Sequence, residues 1–172
     1  MQRHLHQILE LFEQQGREIF AILTRLVLRE AVAEELMQEL FIKLSSYKGL
    51  DKVGNLAAYA RKVAINLAFD WRSRQKLSLM GLDEVDESSH LASGDNSPLG
   101  ELVRKEGLEE LVDAIGQLRG ASREVFIMRH VQQQSYEDIA EQMGKTPQQV
   151  RALCSKALAH LRYVLSDNEK LS

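Results

Sequence analysis

The sequence predicts an all-α fold of two small helical domains joined by an acidic flexible linker, and the C-terminal domain contains a helix-turn-helix. Apolar residues recur at helical spacing over long stretches near both ends of the chain. Between them, residues 81–106 lose this periodicity and are rich in Asp, Glu, Ser and Gly, as flexible linkers are. These observations predict domains over 1–80 and 107–166, a linker over 81–106 and a short tail over 167–172, with a start of the following helix near Leu99 left open.

The net charge of −3 conceals an uneven distribution along the chain. Residues 1–80 hold twelve Lys and Arg against nine Asp and Glu, giving +3. Residues 81–110 hold two against nine, giving −7, and residues 111–172 hold eight against seven, giving +1. Two near-neutral to basic ends around an acidic middle are expected of two DNA-facing modules, since DNA repels the segment that joins them.

The N-terminal domain is predicted to contain three helices, over about 5–28, 31–47 and 56–76. In the second helix, apolar residues spaced by three and four positions predict the buried side. Its outer face carries the acidic and amide side chains Glu34, Glu35, Gln38 and Glu39. From the spacing alone, this outer face is interpreted as solvated.

The third helix presents two different faces. One is an apolar stripe from Leu56 to Trp71, which predicts burial. The other mixes cationic, polar and apolar side chains, namely Lys62, Ile65, Asn66, Phe69, Arg72 and Ser73, with Arg61, Asp70, Arg74 and Lys76 adjoining. Cations beside apolar side chains are typical of a surface that grips phosphates and packs against unstacked bases. The alternative is that Ile65 and Phe69 pack on the first helix.

The C-terminal domain contains the pattern of a helix-turn-helix. Ser135 caps a short helix that Gly144 ends, and a longer helix follows from Thr146. Thr146 and Gln149 are spaced as a capping box, and Pro147 suits the first helical turn. In the DNA-binding form of this motif the second helix enters the major groove. The alternative is an ordinary helical hairpin.

The second helix of this motif has one apolar and one polar side. The apolar side includes Cys154, the only cysteine, which is predicted to be a small buried hydrophobe without a disulfide partner. The polar side holds two cations and no acid, and its members include Gln148, Arg151, Ser155 and Lys156. Such a side suits contact with phosphates and base edges.

No catalytic or cofactor site assembles in the sequence. The five histidines are scattered without metal-ligand spacing, and no glycine loop that cradles phosphate is present. The longest nearly apolar run, at 20–28, is too short to span a bilayer, and no signal peptide opens the chain. We therefore expect a soluble intracellular protein that is not an enzyme and needs no cofactor or metal.

Three runs of the chain resemble the bacterial sigma-70 family of transcription initiation factors. AEELMQELFIKL at 33–44 is similar to the family signature D-A-E-D-L-x-Q-E-x-F-x-x-L, and LAAYARKVAINLAFDWRSR at 56–74 is similar to the run that follows it. REVFIMRHVQQQSYEDIAEQMGKTPQQVRALCSKAL at 123–158 resembles the last domain of the family. Their order and spacing, with little but an acidic linker between them, resemble the extracytoplasmic-function group.

The resemblance implies a factor that binds RNA polymerase core and directs it to specific promoters. Residues 1–80 would be region 2, which binds the core and recognises and melts the −10 element, and residues 107–166 would be region 4, which reads the −35 element. By resemblance, the clamp helices of the polymerase large subunit bind the face formed by Glu34, Glu35, Gln38 and Glu39. An anti-sigma factor or membrane signalling regulator is implied as a further partner, without membrane insertion, and the cytoplasm as the location.

The resemblance also implies the DNA-contacting residues. Asn66 lies at the family position that helps hold a base flipped out of the −10 element. The residues implied at −10 are Arg61, Lys62, Asn66, Phe69, Arg72 and Arg74. Those implied at −35 are Thr146, Gln148, Gln149, Arg151, Ser155 and Lys156. Leu153 stands where many members have a basic residue, which leaves the −35 sequence open.

Two other classes of protein fit parts of the sequence. A stand-alone helix-turn-helix regulator would need only the C-terminal domain, and a helical adaptor would bind only protein. The block at 33–74 favours the sigma factor, because a simple regulator has no reason to carry it.

Overall fold

The structure is a computed structural model that describes residues 2–80 and 98–171. All secondary structure in these residues is helical, which confirms the predicted all-α fold of two helical domains. The described residues form two compact units, one within 1–90 and the other within 91–172. Residues 81–97 of the predicted linker lie outside the described part of the chain.

The N-terminal unit is a bundle of three long helices. α1 spans Gln2–Val27, α2 spans Glu30–Ser46 and α3 spans Leu56–Met80, and a short 3₁₀ turn at Leu50–Lys52 lies between α2 and α3. Each long helix packs against the other two. Because α3 contacts both neighbours, it buries two of its sides rather than one.

The core of this bundle draws on all three helices. Its members with the least exposure include Ile8, Ile22, Leu23, Leu26, Leu40, Leu44, Ala60 and Ala64. The largest fully buried side chains come from α1 and α2, whereas α3 contributes three buried alanines, Ala60, Ala64 and Ala68, beside Ile65, Leu67 and Phe69. Small residues on α3 allow its two neighbours to approach closely while the interior stays densely packed.

The C-terminal unit begins with α4, Pro98–Gln117, which starts inside the stretch predicted as linker. α5 spans Ala121–Phe126 and continues as a wider π-helical turn over Ile127–Val131. α6 spans Tyr136–Met143 and α7 spans Pro147–Leu171. α4, α5 and α6 all pack against α7, so the last helix is the centre of this unit.

α6, the turn and α7 form the predicted helix-turn-helix. The Ser135 hydroxyl caps α6 by accepting a hydrogen bond from the Asp138 N–H at 3.1 Å. Gly144 ends α6 at φ 65°, in the left-handed region that favours glycine. The predicted capping box opens α7, because Thr146 N–H donates to Gln149 Oε1 at 3.0 Å and Gln149 N–H donates to Thr146 Oγ1 at 3.2 Å.

A small apolar core fixes the inward side of α7. Its members are Val125, Met128, Ile139, Ala140, Val150 and Cys154. The predicted burial of Cys154 is confirmed, since only 1% of its surface is exposed. α7 remains helical to Leu171, through the stretch predicted as a tail, because no glycine or proline follows Pro147.

Candidate nucleic-acid interface

The outer face of α2 lies in solvent, as its spacing predicts. Of the four polar residues assigned to it, Glu34, Glu35 and Gln38 are exposed and Glu39 is half-buried. Ile42 lies one turn beyond Gln38 on the same face and is 62% exposed. The face therefore places an accessible apolar side chain among acidic and amide groups.

On α3, the structure corrects the predicted DNA-facing surface. Arg61, Phe69 and Arg72 are buried, with 4%, 7% and 7% of their surface exposed. The reason is that α3 packs against both α1 and α2, so part of the side assigned to DNA is interior. Ile65 is buried as well, at 3% exposure, so Ile65 and Phe69 are interior residues and do not form a DNA-facing surface here.

Arg72 makes a structural contact with α1 instead. Its Nη1 donates to the Leu26 carbonyl at 3.2 Å, in the last turn of α1, where carbonyls lack helical partners. Lys62, Asn66 and Arg74 are the −10 residues of the sequence analysis that remain exposed. Arg74 Nε donates to a carbonyl of its own helix at 3.4 Å, so its guanidinium stays at the surface.

Asn66 lines a pocket of about 500 Å³ between α2 and α3. The polar and aromatic part of the lining is Lys43, Ser46, Tyr47, Tyr59, Asn66 and Asp70, and the apolar part is Leu44, Val63 and Leu67. The rings of Tyr47 and Tyr59 are stacked, with centroids 5.4 Å apart and planes at 26°. The pocket thus combines an aromatic face with amide, ammonium and carboxylate groups, which can stack on and hydrogen-bond a planar heterocycle.

The other polar and aromatic residues of this pocket were not predicted as site residues from the sequence. Part of the signal was present, because Tyr59, Asn66 and Asp70 are separated by seven and four positions and therefore share one side of α3. Lys43 and Tyr47 are four positions apart and share one side of α2. Spacing within each helix does not reveal that these two sides face each other.

On α7, all six residues assigned to DNA are exposed. They are Thr146, Gln148, Gln149, Arg151, Ser155 and Lys156. Thr146 and Gln149 are engaged in the capping box, which leaves them a structural role at the helix start. The remaining four lie on the solvent side of the helix, opposite its buried stripe.

Arg151 contacts two residues of α6. Its Nη2 lies 3.5 Å from Glu137 Oε1, and its guanidinium carbon lies 5.3 Å from the centre of the Tyr136 ring. Arg129 lies over the same ring at 4.4 Å and donates to the Gln134 carbonyl at 2.9 Å. Tyr136 and Glu137 were not predicted as functional residues from the sequence, because contacts across a turn do not show in the spacing of either helix.

His130 lies beside the buried thiol of α7. Its Nε2 is 3.6 Å from Cys154 Sγ, and its ring is 4.6 Å from the Phe126 ring. Partial burial, with a smaller contribution from the charge of Arg129, lowers the pKa of His130 below its usual 6.5. The imidazole is therefore mainly neutral at pH 7 and adds little positive charge to this unit.

The described residues were also compared with the requirements of a metal site and of a membrane-spanning helix. Within residues 2–80 and 98–171, no three His, Cys, Asp or Glu side chains are placed to share a metal ion. In that same part of the chain, no helix combines the length and the apolar character needed to cross a bilayer.

Comparison with known proteins relates both units to one family. Residues 11–77 match the family model for sigma-70 region 2, and residues 108–161 match that for sigma-70 region 4. The RNA polymerase sigma-E factor of Streptomyces avermitilis is 27% identical over 146 residues, which are 84% of this chain and 77% of that protein. The RNA polymerase sigma-E factor of Streptomyces coelicolor is 28% identical over 106 residues, which are 61% of this chain and 55% of that protein.

One solved structure aligns along nearly the whole chain. It is the co-crystal structure of the sigma factor RpoE with the anti-sigma factor NepR from Bartonella quintana. The sequence identity is 20% and the TM-score is 0.46, with 96% of this chain and 98% of that chain covered.

Proposed function

The chain belongs to the sigma-70 family, in its extracytoplasmic-function group, and we propose that it captures an unstacked −10 base in the pocket between α2 and α3 while α7 reads the −35 element. Members of this family are transcription initiation factors that bind RNA polymerase core and promoter DNA. The proposal goes further, because it assigns the −10 element to the first unit and the −35 element to the second and names the residues that contact each.

The pocket is the observation that carries the −10 part of the proposal. Taking a base out of the duplex costs a few kcal/mol, so a binding site must offset lost stacking and pairing. Tyr47 lines the pocket and is 44% exposed, so its ring is accessible for stacking. Asn66 supplies an amide that can both donate to and accept from a base edge. Lys62 is exposed next to these groups on α3 and suits a phosphate contact.

The exposed face of α2 supports docking on the polymerase core. Protein interfaces often place an apolar side chain inside a polar rim. Ile42 would be that apolar side chain, with Glu34, Glu35, Gln38 and Glu39 around it, and the partner surface would be the clamp helices of the large subunit. The buried leucines on the other side of α2 hold this helix in the bundle, so the outer face is available for a partner.

The exposed side of α7 supports reading of the −35 element. Arg151 lies in the second turn of α7, near the helix start, where helix-turn-helix proteins place their base-reading side chains. Lys156 lies more than one turn further along the helix and suits a phosphate contact. Family membership supports two further parts of the proposal, namely regulation by an anti-sigma factor or a membrane signalling regulator and a location in the cytoplasm.

Run-off transcription with purified core polymerase tests the proposed function. Core supplied with the chain should start at defined sites in a promoter library, whereas core alone should not. Tyr47→Ala should reduce this initiation, and Tyr163→Ala is the matched control, because Tyr163 is an exposed tyrosine of the other unit, far from the pocket in sequence. Absence of defined starts, combined with tight operator binding by the chain alone, would favour the stand-alone regulator.

A further inference from the structure

We propose that Glu137 and Tyr136 of α6 are positioning residues that set the base preference of Arg151 on α7. The inference rests on the proposed −35 reading by α7. It assigns specificity to two side chains that need not touch a base themselves.

The four side chains involved form a chain of contacts across the helix-turn-helix. Arg129 is fixed at one end by its bond to the Gln134 carbonyl, and it lies over the Tyr136 ring. Tyr136 is half-buried and packs against the core under the helix-turn-helix, so its ring has a defined position. At the other end, Arg151 lies over the Tyr136 ring and also pairs with the Glu137 carboxylate.

These contacts restrict a side chain that is otherwise free to choose among many rotamers. Arg151 and Glu137 are more than half exposed, at 54% and 66% of their side-chain surface, so their ion pair adds little to stability. Ordering one long side chain on binding costs about 0.5–1.5 kcal/mol, and a side chain ordered beforehand avoids much of that cost. The expected effect is therefore on recognition rather than on folding.

Charge and hydrogen-bonding capacity are consistent with this arrangement. Two guanidinium groups approach one ring, and Glu137 offsets part of their mutual repulsion. Arginine has five N–H donors in a fixed fork, so a contact through one Nη leaves donors for a bidentate contact with guanine. A carboxylate near DNA also repels phosphates, so Glu137 is expected to weaken binding to all sequences while sharpening the choice among them.

The experiment measures base preference with the complete initiation complex. Core polymerase carrying the full chain is selected on a promoter library with a randomised −35 element, and enrichment is compared between variants. Glu137→Ala should reduce the preference at the position read by Arg151 about two- to tenfold, the factor that corresponds to ordering one long side chain. Asp138→Ala is the matched control, because it removes an exposed carboxylate from the same first turn of α6 without a contact to Arg151.

A double variant separates positioning from a general charge effect. In an Arg151→Ala background, Glu137→Ala should cause no further loss of base preference, although affinity for all sequences should still rise. Tyr136→Phe should keep the preference because it keeps the ring, whereas Tyr136→Leu should lose it. Glu137→Ala with an unchanged profile, while Arg151→Ala alters that profile, would overturn the positioning role alone. An unchanged profile for Arg151→Ala would overturn base reading by Arg151 and the positioning role together.

Discussion

Asn66 is the residue on which the proposed opening of the promoter depends most directly. It is exposed on α3, lines the pocket between α2 and α3, and lies outside the buried core. Asn66→Ala removes its hydrogen bonding to a captured base, and since one such bond contributes about 1 kcal/mol, promoter opening should fall at least about fivefold. Permanganate footprinting of the opened region measures this effect, and binding of the variant to core polymerase should be unchanged.

The control for Asn66 is Gln75→Ala. Gln75 is an exposed residue with a side-chain amide on the same helix, and it does not line the pocket. It should open promoters like the wild type. Wild-type opening by Asn66→Ala would remove the base-capturing role from Asn66.

Arg151 and Lys156 are expected to differ in what they contribute on α7. Arg151→Ala should cost about 1–3 kcal/mol at one −35 position and relax the preference there, as loss of a base-edge contact does. Lys156→Ala should weaken binding to all sequences alike and reduce the slope of log affinity against log salt by about 1, as loss of a phosphate contact does. Titrations of the holoenzyme over −35 variants and salt concentrations distinguish the two effects, and identical −35 profiles for Arg151→Ala and wild type would contradict base reading.

At the scale of whole elements, the helix-turn-helix was the most predictable part of the chain. Its helix ends are set by local chemistry, since the Ser135 cap, the left-handed Gly144 and the Thr146–Gln149 capping box each act within a few residues. α3 was less predictable, because its spacing identifies one buried stripe, while Ile65 and Phe69 on another face were compatible with either burial or contact with bases. A second stripe is buried because α3 packs against α1 as well as α2, a contact that spacing within one helix does not show, and this places Arg61 and Phe69 inside.

The buried side of α3 leads to a prediction about stability. Arg72→Ala removes the donor that satisfies the Leu26 carbonyl and leaves a gap in the bundle, so it should lower the free energy of unfolding by about 1–3 kcal/mol. Arg74→Ala is the matched control, because Arg74 is an exposed arginine two residues further along the same helix. It should leave the unfolding free energy unchanged within about 0.5 kcal/mol. Chemical denaturation of the two variants measures this difference. Equal stability would mean that the Arg72 contact with α1 is unimportant.

The outer face of α2 yields a prediction about the polymerase. Glu35→Lys reverses a charge on the proposed docking face and should weaken binding to core at least several-fold. A partner surface that complements an acidic face would repel a lysine at this position. The fold should persist, since the leucines on the opposite side of α2 carry its packing. Competition with a labelled wild-type chain for core measures the effect, and Glu18→Lys, an exposed charge reversal on α1, is the control. Equal competition by both variants would return the α2 face to simple solvation.

At the scale of the whole molecule, the charge available for DNA is small. Residues 1–80 carry a net +3 and residues 111–172 a net +1, with −7 between them at 81–110. Two cations of the first unit, Arg61 and Arg72, are buried and cannot neutralise phosphates in this conformation. In the second unit, Arg151 is already paired with Glu137. Because non-specific affinity for DNA comes mainly from neutralised phosphates, we expect the isolated chain to have little non-specific affinity.

The last prediction is that the free chain binds promoter duplex poorly and that core polymerase converts it into a specific binder. The charge balance gives one reason, and the pocket gives another, because the base it would hold is stacked and paired within intact duplex and costs a few kcal/mol to extract. Docking on core would add polymerase contacts to DNA, and these could offset the extraction. A stand-alone regulator would instead bind its operator tightly without help. Anisotropy titration of a labelled promoter identified by run-off transcription, with and without core, distinguishes the two. Nanomolar, sequence-specific binding by the chain alone, unchanged by core, would contradict the sigma-factor mechanism.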